Sequence, residues 1–179
     1  VIHSTHEFPE RETFQLNVTQ LEDYCGNILT DSIISLSFVP SSFQQIVINE
    51  VLMEPNIDLG FAYEFVELYN RDSLQVSLTG WTFQSGSKTF DMPVCSIPAN
   101  GFLIIAPEYL SNFPYAPANS VFLFDDADLS NSGAMLILFD ANDRLVTWLD
   151  YKDDWHSDEF ALQGGYSLER IDTECLCCG

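Results

Sequence analysis

The sequence is poor in positive charge: six Lys and Arg stand against 27 Asp and Glu, a formal charge of −21. Such a field repels phosphate backbones and anionic headgroups, which argues against a nucleic-acid partner and against attachment to acidic lipid. The bland reading of this acidity is solubility, for which Asp and Glu serve well; cation binding is the alternative. Long hydrophobic runs are missing too. Stretches such as Phe102 to Ala106 and Met135 to Phe139 are strand-sized, far short of a membrane span, so membrane insertion is not expected. No window repeats apolar residues at helical spacing over three turns. The numbered chain lacks an initiator Met and a charged-then-apolar leader, so we expect a mature fragment that does not carry its own targeting signal.

Catalytic signatures are also lacking. No GxSxG, HExxH or Gly-rich phosphate loop occurs. His156 in DDWHSDE has Ser157 and Asp158 as neighbours, but adjacent residues of an extended chain point to opposite sides and do not converge into a triad. The five cysteines, Cys25, Cys95, Cys175, Cys177 and Cys178, offer a single CxxC spacing with no second pair, which argues against zinc. The terminal three are read as free, locally bridged, or bridged to partners beyond Gly179.

What is present is period-two alternation. The organising stretch is EFVELYNRDSLQVSLTGW, Glu64 to Trp81. Val66 and Leu68 point to one face and Phe65, Glu67 and Tyr69 to the other, a half-buried strand. Asn70 to Ser73 supply turn residues, Val76 and Leu78 alternate again, and Trp81 is the largest apolar surface in the segment. This reads as a central hairpin of a β-sandwich with Trp81 near the core. From Ile46 onward strand-length runs follow one another: IVINEVL, EFVELYN, VSLTGWTF, KTFDM, FLIIA, VFLF, MLILFD, LVTWLDY and YSLERI. Turn residues separate them, with a tight hairpin at Asp140 to Asp143 and one irregular connection, Pro107 to Pro117, with room for a short helical turn. The expected class is all-β, an Ig-like sandwich.

Before Ile46, Phe14, Leu16 and Val18 alternate, as do Ile34, Leu36 and Phe38, around a Gly26-Asn27 turn, which predicts an N-terminal β-hairpin. Pro40 to Gln45 form a polar linker, and the boundary is placed at Phe43, giving domains 1–43 and 44–179. An isolated hairpin is barely stable in water, so this one is expected to extend a sheet of the second domain or to pair across an intermolecular interface, giving a homo-oligomer.

Two resemblances follow from these motifs. TFQLNVTQLEDYCGNILTD, with Asp23, Gly26 and Asn27 on a D-x-x-GN pattern, resembles the closing strands of a bacterial Ig-like domain. IVINEVLMEP, EFVELYN, LTGWTF, IPANGFLIIA, LSNSGAMLILFD and GGYSLERID, in that order over residues 46 to 172, resemble the lamin tail domain family in its bacterial form. The chain departs from that pattern at Ala134, where bacterial members often carry Asp, and at Cys95 before the IPANG turn. The resemblance implies a non-catalytic binding, adhesion or spacer module of a larger secreted or cell-surface bacterial protein. The other class is a substrate-positioning accessory domain of an extracellular hydrolase, of nuclease or phosphatase type, whose catalytic part lies outside this chain. A protein or glycan at the cell surface would be the partner.

Site residues are few. Asn49, Glu50, Glu64, Glu67 and Arg170 are polar positions within apolar strands. They are read as a structural cluster in which Arg170 pairs with a strand carboxylate, rather than as an acid and base pair. Asp125, Asp126 and Asp128 precede LSNSG, and Asp150, Asp153, Asp154 and Asp158 surround Trp155. Calcium takes roughly six to eight oxygen ligands, so the first group is the candidate calcium loop, although the EF-hand pattern is absent. Trp155 and Phe160 are read either as contacts for a partner or glycan or as cover for the end of the sandwich. The sequon Asn17-Val18-Thr19 would matter in a eukaryotic secretory protein, which the resemblance argues against.

Overall fold

The structure, a computed structural model, describes residues 13–19, 22, 26–28, 32–37, 41–59, 63–112, 119–125, 128–156 and 164–174. The chain divides into two compact units, Val1–Pro40 and Ser41–Gly179. In the first, β1 (Thr13–Val18) and β2 (Ser32–Ser37) pair antiparallel, so the alternating runs do form a two-stranded sheet. In the register Phe14 lies opposite Leu36 and Leu16 opposite Ile34.

In the second unit two sheets carry the fold. One contains β3 (Ile46–Leu52), β4 (Phe65–Asn70), β9 (Phe102–Pro107), β10 (Ser120–Phe124) and β13 (Leu168–Glu169), in the order β10-β9-β4-β3-β13. The other has the order β12-β11-β6-β7, from β6 (Thr82–Ser85), β7 (Lys88–Asp91), β11 (Gly133–Phe139) and β12 (Leu145–Lys152). β5 (Val76–Ser77) and β8 (Ser96–Ile97) form a small ladder of their own. All neighbours in the second unit pair antiparallel except β9 and β10, which run parallel. Among the described residues the elements are strands with three short 3-10 turns, one of them Glu108–Asn112 inside the irregular connection. This is the expected Ig-like sandwich.

The core follows from parity. Val66 and Leu68 of β4 are fully buried beside Val51 and Ile48 of β3 and Ile105 and Leu103 of β9. Phe83, Leu136, Leu138 and Tyr151 supply the buried side of the second sheet, and Phe90 of β7 meets Phe124 of β10 edge-on with ring centroids 6.3 Å apart. Trp81 is buried, as its size and position suggested.

The expected hairpin between Glu64–Asn70 and Val76–Leu78 does not form. β4 pairs with β3 and β9, and β5 pairs with β8. The reason is the Asn70 side chain, whose amide nitrogen lies 2.9, 3.1 and 2.9 Å from the carbonyl oxygens of Leu74, Ile97 and Pro98. It draws the connection toward the 97–98 segment instead of letting the chain fold straight back. VSLTGWTF is likewise two strands in different ladders, divided at Gly80, whose φ of 78° suits a residue without a Cβ. YSLERI keeps ladder pairing at Leu168 and Glu169.

Candidate functional site

The polar row of the first sheet is built by a bulge in β3. The register passes from Ile48 opposite Leu68 to Glu50 opposite Glu67, leaving Asn49 and Glu50 to share one partner. Glu50 in turn lies opposite Glu169 of β13. Three carboxylates therefore line up across neighbouring strands. Burial pushes the Glu67 carboxyl above its ordinary range, and repulsion from Glu50 and Glu169 adds to it. Asn49 opposes this by donating from Nδ2 to Glu67 Oε1 at 2.8 Å, while its own buried Oδ1 has no hydrogen-bond partner among the described residues. Ser167 Oγ donates to Glu50. The Arg170 N–H donates to Asn49 O at 2.8 Å and its Nε to Ile48 O at 3.4 Å, so Arg170 anchors the C-terminal segment on the backbone of β3.

Glu64 belongs to a different place. Its Oε2 accepts the Leu129 N–H at 3.1 Å, and its charge, after burial, helps to raise the Tyr151 phenol. The structure thus brings Asn49, Glu50, Glu67 and Arg170 together and commits Glu64 to the connection before β11. A groove of about 530 Å³ beside the row is lined by Asn49, Leu149, Trp155, Leu168 and Ile171, among others. Trp155, half exposed, forms part of its wall. His156 borders a smaller pocket of about 200 Å³ with Glu54, Asn131 and Ser132, and its backbone N–H donates to Asp153 O at 3.3 Å. Ser157, Asp158 and Phe160 lie outside the described residues.

In the acidic loop, the Asp125 N–H donates to Asp128 Oδ2 at 3.0 Å and Lys88 Nζ pairs with Asp128 Oδ1. That contact raises the Lys88 amine. Asp126 lies outside the described residues. Among the described residues, no three His, Cys, Asp or Glu side chains come together in a set that could hold a metal ion. Cys95 is a free thiol that burial pushes up; the other four cysteines are outside the described residues. No helix among the described residues is long and apolar enough to cross a membrane.

Two buried polar centres carry more structure than their sequence context announced. Asn70 Oδ1 accepts the Asp72 N–H at 2.9 Å, and Asp72 accepts Gln45 Nε2 at 2.9 Å and the Leu74 N–H at 3.1 Å. Asp140, 2% exposed, accepts the N–H groups of Asn142 and Arg144, Arg144 Nε at 2.7 Å and the Ser41 hydroxyl. Burial alone would raise this carboxyl, but those hydrogen bonds hold it down at about 2. Both residues were legible as turn formers. The missed signal was parity: Val66, Leu68, Asn70 and Leu136, Leu138, Asp140 each run on one side of their strand, so the last member of each series is carried into the interior.

Two facing sheets, buried polar side chains committed to turns, and a polar row fixed by backbone contacts define an Ig-like sandwich module. The family model described as Lamin Tail Domain matches residues 40–153, more than half of the chain, and the chain belongs to that family. No curated protein matches the chain.

Proposed function

We propose that the chain is a non-catalytic binding or spacer module of a larger bacterial protein that is secreted or held at the cell surface. The observation that carries this reading is how the interior polar groups are used. Asn70, Asp72 and Asp140 bind turn backbone, Glu64 binds the Leu129 N–H, and Glu67 binds Asn49. A general acid or base needs a tuned group facing a substrate and a nucleophile or water held within reach. Glu67 is tuned, but the Asn49 amide occupies its Oε1, and its neighbours along the row are further carboxylates. The Ig-like family fold supports the same reading. A protein or glycan of the cell surface is the proposed partner, with no cofactor required. The test is a turnover screen of the full chain against chromogenic phosphomonoesters, phosphodiesters, carboxylic esters and glycosides. We expect no rate above buffer; a rate abolished by Glu67→Gln would overturn the proposal.

A further inference from the structure

The outer face of the four-stranded sheet breaks the rule its own strands otherwise obey. In an antiparallel sheet with one solvated face, inward positions are apolar and outward positions polar. β6 and β7 comply, since Thr82 and Gln84 point outward opposite Asp91 and Thr89. β11 and β12 do not. Leu136, Leu138 and Tyr151 are buried on the inner side, so Met135, Ile137 and Phe139 face outward, with Trp148 opposite Ile137 and Leu145 opposite Phe139. Trp148 is 50% exposed, Met135 44% and Leu145 41%. Five apolar side chains on two adjacent strands thus make one continuous stripe. Asp150, opposite Met135 and exposed, stands at its border.

We propose that the outer face of β11 and β12 is a docking surface for an apolar, positively charged protein segment. This rests on the binding-module reading above and names its surface and the chemistry of its partner. The stripe has the composition of an interface centre, where Trp, Met and other large apolar side chains are enriched and charge is depleted. Charge selects the occupant. Asp150 lies at the border with Lys152 two residues beyond it on the same face, Asp91 lies on that face at the sheet's far edge, and the chain as a whole carries 27 acidic against six basic residues. A second copy packed face to face would bring two chains of formal charge −21 together, and nucleic acid or anionic lipid would meet the same repulsion. A segment with apolar side chains in its centre and Lys or Arg at its margin satisfies both the stripe and its border.

The test uses the full chain and a fluorescently labelled heptapeptide of alternating lysine and leucine, followed by anisotropy. A lysine–serine peptide of equal charge measures attraction by net charge alone. We expect the lysine–leucine peptide to bind at least about tenfold more tightly than the lysine–serine peptide. Trp148→Ser, alone and with Met135→Ser, should abolish that difference, while Val94→Ser, which alters an exposed apolar residue elsewhere, should preserve it. Asp150→Asn should weaken binding and flatten its salt dependence. Because the three altered apolar side chains are exposed, their circular dichroism spectra should match the parent chain. Equal affinity for the two peptides would overturn the proposal, as would an unchanged preference in the Trp148→Ser chain. Saturable binding of cellohexaose lost on Trp148→Ser would assign the face to a glycan instead, and dimerisation lost on the same change would assign it to a second copy. All of these outcomes are independent of whether the chain turns over a substrate.

Discussion

Asn70 and Asp140 show how a single polar residue at the end of an apolar series controls a turn. Each continues the inward parity of its strand, and each is tolerated there because several hydrogen bonds replace the water it has lost. Removing the Asn70 carboxamide strips partners from the carbonyls of Leu74, Ile97 and Pro98 and from the Asp72 N–H. Asn70→Ala should cost about 2–4 kcal/mol of stability, read by urea denaturation. That corresponds to a fall in melting temperature of roughly 2–4 °C per kcal/mol. A loss below about 0.5 kcal/mol would show that water replaces the carboxamide. Asp140 sets a pH dependence. Its folded pKa of about 2 lies below the ordinary 3.8, so the charged form is favoured by folding. The stability it contributes is complete above about pH 5 and is lost as pH falls through 4 toward 2. The full shift corresponds to somewhat more than 2 kcal/mol, but Arg144 is 60% exposed and screened, so roughly 1–2 kcal/mol is expected. Urea denaturation at pH 6 and pH 3 should show a smaller loss of stability in Asp140→Asn than in the parent; equal losses would dismiss the carboxylate as the source. The turn roles of these residues were legible in the sequence, whereas their networks were not, because the Ser41, Gln45, Ile97 and Pro98 partners are distant in the chain.

At the scale of elements, alternation located the strands well and their pairing less well. IVINEVL, EFVELYN, FLIIA, VFLF, MLILF and LVTWLDY are strands, and the tight turn at Asp140 to Asp143 does join two of them. The hairpin expected after β4 failed because strand pairing depends on contacts across long sequence separations, and period-two patterning is silent on which neighbour a strand takes. The β3 bulge was equally hidden: nothing in INEV marks Asn49 and Glu50 as sharing Glu67. For the same reason the polar cluster was gathered only in part, with Glu64 going elsewhere. One glycine marks an element boundary with physical force. Gly133 begins β11 at φ 120°, and a Cβ there would sit 2.6 Å from the Tyr151 carbonyl oxygen on β12. Neither the backbone angle nor that contact admits a side chain. Gly133→Ala should push the start of β11 away from β12 and cost about 2 kcal/mol or more. Amide hydrogen exchange should then be accelerated at Tyr151 and Lys152 and much less at Leu145 and Val146. Uniform acceleration along β12 would mean that the damage is global.

For the molecule as a whole, charge is the property that discriminates among partners. Acidity invites the idea of calcium, but the described part of the candidate loop is already engaged. Asp128 gives one oxygen to Lys88 and the other to the Asp125 N–H. A ligand that binds the folded state must raise its melting midpoint, and we expect millimolar calcium to leave the midpoint where chelator leaves it. A rise reversed by chelator and removed by Asp128→Asn would establish a site there instead. The same charge argues about DNA, although fold alone does not decide it. Protein–DNA affinity comes largely from Lys and Arg replacing counterions on the phosphates, each contact adding to the salt dependence. Here six basic residues serve the whole chain, and of these Lys88 pairs with Asp128, Arg144 with Asp140 and Arg71 with Glu174. Approach to a duplex would have to overcome 27 carboxylates while those pairs competed with phosphate for their cations. Fluorescence anisotropy of a labelled duplex with the full chain should therefore show no saturable binding at physiological salt. A micromolar affinity that weakens steeply with added salt would refute this, because it would require a local basic surface strong enough to outweigh the charge of the whole molecule.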